Sequence, residues 1–202
     1  MKKLSDRQIM NRIYHDICGF EIPKEDIKEI KKSKGSAVYG EINHQALKKL
    51  HDYLGINSKD VFFDLGSGVG KVVLQTGLFT DAKKVVGVEL SKTRHDDALL
   101  ALKNASEMDK KISSKVEFIN DDLMNVDLSR ASIIYTCSTA FSETFMKQIV
   151  KRLGSFNHKF RLITLQELPN EKYLDPIDTI HLDMSWVRNT AVYIYERNNK
   201  QV

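Results

Sequence analysis

The chain has 202 residues, of which 42% are hydrophobic and 29% charged, and its formal net charge is +4. This balance is ordinary for a globular protein and predicts one well-filled core in one main domain. Cys18 and Cys137 form neither a disulfide framework nor a metal motif, and no apolar run suits a signal peptide or a membrane span. We therefore expect an intracellular protein, cytoplasmic or, in a eukaryote, nuclear, with no membrane partner and no metal site.

The N-terminal part, 1–35, is predicted to be a small helical arm of two short helices, before a main domain at 36–202. Ile9, Ile13 and Ile17 recur every four residues, which indicates one buried stripe. Residues 1–39 hold nine Lys or Arg and six Asp or Glu. The positive excess would suit nucleic acid or an acidic partner, but the interleaved acids favour a solvated helix face.

A third helix is predicted from Asn43 to Leu54, closed by Gly55. From Val61 onward strands alternate with helices, which is typical of a parallel sheet with helices on both faces. The predicted strands are 61–65, 84–90, 115–119, 131–136 and 160–165, and the predicted helices among them are 71–79, 91–108 and 142–153. Two further strand-like runs, 178–186 and 190–197, are separated by three residues and predict a β-hairpin.

The segment GSGVG, 66–70, follows the first of these strands and opens the next helix. In doubly wound sheets this turn is where ligands bind, because bare backbone and free helix N–H groups meet there. A glycine-rich turn without a ligand is the alternative. A dinucleotide site fits less well, since the third glycine comes one residue early, and a phosphate loop is excluded because Val72 follows Lys71.

Acidic residues stand at the ends of three predicted strands. Asp64 precedes the glycines, where burial would require a cationic or donor partner. Glu89 ends the second strand, where an acid can accept both ribose hydroxyls. Asp121 and Asp122 end the third strand and can either reach an adenine amino group or shape a turn. The set describes a ligand with adenosine at one end and an α-amino acid at the other, namely S-adenosylmethionine.

With VYGE at 38–41 and SW at 185–186, these motifs resemble the disruptor-of-telomeric-silencing family of lysine methyltransferases. The resemblance implies a Rossmann-like class I methyltransferase fold, with a mostly parallel seven-strand sheet, helices on both faces and a C-terminal β-hairpin. It implies methyl transfer from S-adenosylmethionine to a protein lysine, leaving S-adenosylhomocysteine. The implied cofactor contacts are Tyr39, Gly40, Glu41, Asp64, Gly66, Ser67, Gly68, Gly70, Glu89, Asp121, Asp122 and Leu123.

In this resemblance Glu41 lies near the cofactor ammonium, and an acceptor lysine enters a channel of Phe141, Trp186 and Tyr193. Taken alone, an aromatic residue on a sheet is more often part of the core packing. We expect Lys71, which replaces the glutamine usual in the family, to point to solvent.

The chain departs from the family at 137–139, where Cys-Ser-Thr replaces a segment that carries two adjacent asparagines. We assign no catalytic residue. We also expect no basic C-terminal tail of the kind that holds DNA, because the sequence ends seven residues after Tyr195. The family resemblance favours a protein substrate with an accessible lysine. A small-molecule or nucleic-acid acceptor, or a non-catalytic cofactor-binding module, are the alternatives.

Overall fold

One seven-stranded sheet organises the chain in a computed structural model that describes residues 4–168 and 172–197. Its strands are β1 Val61–Leu65, β2 Lys84–Glu89, β3 Val116–Asn120, β4 Ile133–Thr136, β5 Arg161–Thr164, β6 Leu174–Leu182 and β7 Thr190–Arg197. Their order is β3-β2-β1-β4-β5-β7-β6, with β1 to β5 parallel and β7 antiparallel to both of its neighbours. The predicted fold class, with its terminal hairpin, is confirmed.

The helices are α1 Asp6–Ile13, α2 Lys24–Lys32, α3 His44–Leu54, α4 Lys71–Phe79, α5 Lys92–Met108, α6 Ile112–Lys115 and α7 Glu143–Gly154. Local hydrogen bonding and backbone conformation fix the start of α5 and the end of α3. The Ser91 hydroxyl accepts the N–H of Arg94 at the start of α5, and Gly55 ends α3 with a φ of 59°.

The structure differs from the sequence prediction near the hairpin and before β3. Strand β6 begins at Leu174 rather than 178, and the hairpin loop spans 183–189 rather than three residues. Pro176 lies in β6, which is tolerated because this is an edge strand with a register shift beside the proline. The single-turn helix α6 was not predicted.

The N-terminal arm packs against the sheet domain. Met10, Ile13, Tyr14 and Ile17 belong to the same hydrophobic cluster as residues of α3, α4 and α5. A second cluster, on the other face of the sheet, contains buried residues of α7. The predicted boundary between 35 and 36 therefore joins two parts that share a core, and the outer limits of both predicted domains lie outside the described residues. No helix in the described ranges is long and apolar enough to cross a membrane.

Candidate functional site

The turn after β1 has the backbone conformation that its glycines allow. Gly66, Gly68 and Gly70 have φ values of 84°, 53° and 82°. A Cβ on Gly68 would overlap the Tyr39 ring, so glycine is required there for space as well as for conformation. The N–H groups of Gly66 and Ser67 both donate to the carbonyl of Val88 at 2.9 Å, which fixes the turn against β2.

A cavity of about 430 Å³ lies beside this turn, within the size range of small-molecule sites. The sequence-predicted residues that line it are Tyr39, Gly40, Glu41, Asp64, Gly66, Ser67, Gly68, Glu89, Asp121, Asp122, Leu123, Phe141 and Trp186. Gly70 and Tyr193 are not among its lining residues. Gly70 instead faces the ring of Phe118, and Tyr193 packs against the hydrophobic cluster on the α7 side of the sheet.

Asp64 is a buried acidic residue in the cavity wall. It is 2% exposed, and its Oδ1 has no hydrogen-bond partner in the part of the chain that the structure describes. Burial, together with the charge of Glu89, raises the pKa of Asp64 to about 8. A buried carboxylate without a donor is unfavourable, so this position fits a ligand that brings a cation.

Glu89 is held by backbone N–H groups. Its Oε2 accepts from Gly68 and its Oε1 from Ser91, each at 2.8 Å. Burial raises the pKa of Glu89 above its usual range, although these two hydrogen bonds act in the opposite direction. The carboxylate therefore ties the glycine turn to the start of α5 while it lines the cavity.

Glu41 forms an ion pair with Lys71, which corrects the expectation that Lys71 points to solvent. The Lys71 ammonium donates to Glu41 Oε2 at 2.7 Å, and the Tyr39 hydroxyl donates to Oε1 at 2.7 Å. Burial and the charge of Glu41 raise the pKa of Tyr39, so its hydroxyl stays protonated and donates. The N–H of Ser185 donates to the Glu41 carbonyl at 2.7 Å, which joins this loop to the hairpin loop.

Sequence reasoning missed Arg94, which is 4% exposed and also lines the cavity. Its Nε donates to the Gly19 carbonyl and its Nη2 to the Ala37 carbonyl, each at 2.9 Å. The guanidinium carbon lies 4.7 Å from the centroid of the Tyr39 ring. One buried arginine thus fastens both the N-terminal arm and the loop before Glu41 to the first turn of α5.

Asp121 and Asp122 line the cavity and also shape the turn after β3. Asp121 Oδ1 accepts the N–H of Asp122 at 2.6 Å, and Asp122 Oδ1 accepts the N–H of Met124 at 2.9 Å. Both alternatives that the sequence left open for these acids are therefore compatible with where they lie.

The apolar side of the cavity is aromatic. A Cβ on Gly66 would lie in ordinary contact distance of the Phe141 ring, which packs edge-to-face on Phe145 with ring centroids 5.2 Å apart. Trp186 covers Gly40, where a Cβ would overlap its ring, yet the residue remains 45% exposed. These two rings can flank a long side chain that enters from solvent.

The segment 137–139 divides between the cavity and the core. Cys137 and Thr139 line the cavity, whereas the Ser138 hydroxyl is buried and lies 2.6 Å from the Thr164 hydroxyl. Burial raises the pKa of the Cys137 thiol to about 12, so it remains neutral. Within the described ranges, no group of three or more His, Cys, Asp or Glu side chains is placed to hold a metal ion.

The residues that line the cavity fit an adenosyl amino acid. Among the described residues, Asp64 Oδ1 and the Ser67 hydroxyl have no hydrogen-bond partner; both residues line the cavity, and the Asp64 oxygen suits an ammonium. Glu89 stands at the end of β2, where a ribose is held in doubly wound sheets.

The family model described as "Histone methylation protein DOT1" matches residues 22–193. A histone-lysine N-methyltransferase, H3 lysine-79 specific, of Caenorhabditis elegans is 33% identical over 156 residues, covering 73% of this chain and 16% of the relative. The protein of the same name in Kluyveromyces lactis is 26% identical over 157 residues, covering 71% and 27%. A protein-lysine N-methyltransferase of Saccharolobus islandicus is 22% identical over 107 residues, covering 53% and 61%. The chain thus spans 16% and 27% of the length of the first two relatives.

Solved structures share the fold. An RNA methyltransferase from Salinibacter ruber in complex with S-adenosyl-L-homocysteine has a TM-score of 0.58 and 19% identity, covering 78% of this chain and 94% of that chain. A geranyl diphosphate methyltransferase in complex with GPP and sinefungin has a TM-score of 0.54 and 14% identity, covering 77% and 78%. At these identities the likeness shows the fold alone.

Proposed function

The chain belongs to the family of the histone methylation protein DOT1, and on that premise we propose that it binds S-adenosylmethionine and transfers a methyl group to a protein lysine. The observation that carries the proposal is the buried Oδ1 of Asp64, which has no hydrogen-bond partner among the described residues and lies in a cavity walled by the glycine turn. The relatives named as protein-lysine or histone-lysine N-methyltransferases support a protein acceptor. A protein substrate is consistent with an intracellular location, nuclear if the source is a eukaryote.

Four groups of the chain would hold the cofactor. Asp64 would pair with its ammonium, Glu89 would accept from its ribose, and Asp122 with Leu123 would border its adenine. Tyr39 closes over the glycine turn and is itself held by Arg94. When bound, S-adenosylmethionine supplies a methyl group on a positively charged sulfur, which a neutral amine can accept.

The acceptor amine must be neutral and aligned, and the apolar wall provides for both. Phe141 and Trp186 exclude water from the lysine side chain, which disfavours its ammonium form and lowers its pKa. Bulky rings in the cavity wall also restrict the directions from which the side chain can approach. Because the Cys137 thiol remains neutral, it acts neither as a base nor as a nucleophile in this scheme.

The test has two stages. Calorimetric titration with S-adenosylhomocysteine should show binding to the wild type, weaker binding to Glu89→Gln, and unchanged binding to Lys59→Ala. Lys59 is exposed and precedes β1, so it lies near the amino-terminal ends of the parallel strands, whereas the cavity lies at their carboxyl-terminal ends. Incubation with methyl-labelled cofactor and a protein extract should then label protein, with the label on lysine after hydrolysis.

The outcomes separate the alternatives. Label in RNA or in small molecules, with none in protein, would contradict the acceptor class. Binding of S-adenosylhomocysteine without transfer to any acceptor would instead identify a non-catalytic cofactor-binding module, for which the altered 137–139 segment is a structural reason. No binding to the wild type would refute the cofactor assignment itself.

A further inference from the structure

Tyr135 places a second unpartnered polar group next to Asp64. The residue lies in β4, is 1% exposed and lines the cavity. Its hydroxyl has no hydrogen-bond partner among the described residues. Asp64 and Tyr135 are register partners in the parallel pairing of β1 with β4, so their side chains stand side by side on the same face of the sheet.

The hydroxyl of Tyr135 is not explained by folding. Its ring packs in the hydrophobic core and stacks on Phe62, with centroids 6.5 Å apart and planes inclined by 22°. A phenylalanine would preserve that packing and would remove a buried polar atom that lacks a partner, which is unfavourable in any protein interior. The hydroxyl therefore needs a partner that the described residues do not supply.

The distribution of such atoms points to the cavity. Six buried side-chain N or O atoms lack a hydrogen-bond partner within the described ranges. Three of them, on Asp64, Ser67 and Tyr135, belong to residues that line this one cavity. Groups left unpaired by the fold but gathered around one cavity are those that a polar ligand would satisfy.

We propose that Tyr135 is a cofactor-binding residue, whose hydroxyl hydrogen-bonds the amino-acid end of the bound cofactor beside Asp64. Tyr135 lies outside the set of contacts that the family resemblance implies, and the assignment rests on the proposed function. Burial, with the nearby Cys137 and Asp64, raises the pKa of the Tyr135 hydroxyl well above its ordinary value. The group therefore stays protonated and can both donate and accept. An α-amino acid offers a matching pair, an ammonium that donates and a carboxylate that accepts.

The experiment compares two ligands on Tyr135→Phe. S-adenosylhomocysteine has the amino-acid end, and 5′-methylthioadenosine lacks it while keeping the adenosine and the sulfur. We expect the affinity of Tyr135→Phe for S-adenosylhomocysteine to fall about ten-fold, or about 1.4 kcal/mol, with that for methylthioadenosine unchanged. We also expect the thermal midpoint of the ligand-free variant to equal or exceed that of the wild type, because an unpartnered buried hydroxyl has been removed.

Tyr53→Phe is the matched control, since it removes a hydroxyl that donates to Asp178 and does not line the cavity. It should leave both affinities unchanged. Equal affinity of wild type and Tyr135→Phe for S-adenosylhomocysteine would overturn the assignment of Tyr135 and leave the proposed function standing. An equal loss for both ligands, together with a lowered thermal midpoint, would also overturn it, because that is the signature of a structural role. A wild type that does not bind S-adenosylhomocysteine would overturn the proposed function and this assignment with it.

Discussion

Binding of the cofactor should be linked to the ionisation of Asp64. Burial, then the charge of Glu89, raises the pKa of Asp64 to about 8 in the ligand-free protein. At pH 7 only about one tenth of these carboxyl groups is ionised, because the pH lies one unit below the pKa. The ligand ammonium favours the ionised form, so binding at pH 7 should release close to one proton per site.

The size of the effect follows from the same pKa. Between pH 6 and pH 7 the ionised fraction rises about ten-fold, so the affinity for S-adenosylhomocysteine should rise by up to about ten-fold, or 1.4 kcal/mol. Asp64→Asn keeps the shape of the side chain but cannot ionise. It should bind more weakly, show no rise over this interval and release no proton.

Calorimetry at pH 6 and pH 7, in two buffers of different protonation enthalpy, measures both the affinity and the number of protons released. Asp81→Asn serves as the control, because Asp81 is exposed and lies between α4 and β2, near the amino-terminal ends of the strands and away from the cavity. It should reproduce the wild-type slope. A wild type whose affinity is flat between pH 6 and pH 7, with no proton release, would refute the pairing of Asp64 with a cation.

Three further predictions concern the same groups. Folding raises the pKa of Asp64 from 3.8 to about 8, so between these pH values the folded protein holds a proton that the unfolded chain has lost. The unfolding free energy should therefore fall as the pH rises from 6 to 8, and this group contributes at most about 1.4 kcal/mol per pH unit. Urea titrations should show a flatter pH dependence for Asp64→Asn. Lys71→Met leaves the carboxylate of Glu41 without its ion pair and should weaken S-adenosylhomocysteine binding several-fold in calorimetry, and Lys71→Gln, which can still donate a hydrogen bond, should weaken it less. Arg94→Met removes the donors to the arm and the loop, so amide exchange of 37–41 should accelerate and the affinity should fall about ten-fold, while Arg94→Lys should recover only part of both.

The regular elements were predictable because their signals are local. The helix at 71–79 and the strand at 190–197 were predicted with the bounds that the structure has. The start of β6 was missed since Asp175 and Pro176 weaken the strand pattern, and only pairing with β7 makes these residues part of the sheet.

The site was predictable to the extent that it follows the ends of strands. Asp64, Glu89 and the glycine turn are adjacent in space because parallel strands end at one edge, a rule that needs no side-chain detail. Arg94 and Tyr135 carried no such signal. Arg94 functions through carbonyl groups 57 and 75 residues away in the sequence, and the position of Tyr135 depends on the register of β4 against β1.

Whether each acidic residue of the cavity has a hydrogen-bond donor decides which ligand charge the cavity prefers. Five acidic residues line it, and the structure provides donors for four of them. Glu41 is paired with Lys71, Glu89 accepts two backbone N–H groups, and Asp121 and Asp122 accept N–H groups of their own turn. Only Asp64 has a buried oxygen with no donor in the described chain, so the electrostatic preference for a cation is concentrated at one atom beside the glycine turn. A nucleotide would place phosphate against that carboxylate, whereas an adenosyl amino acid would place an ammonium there, so we expect the cavity to favour the second ligand over the first.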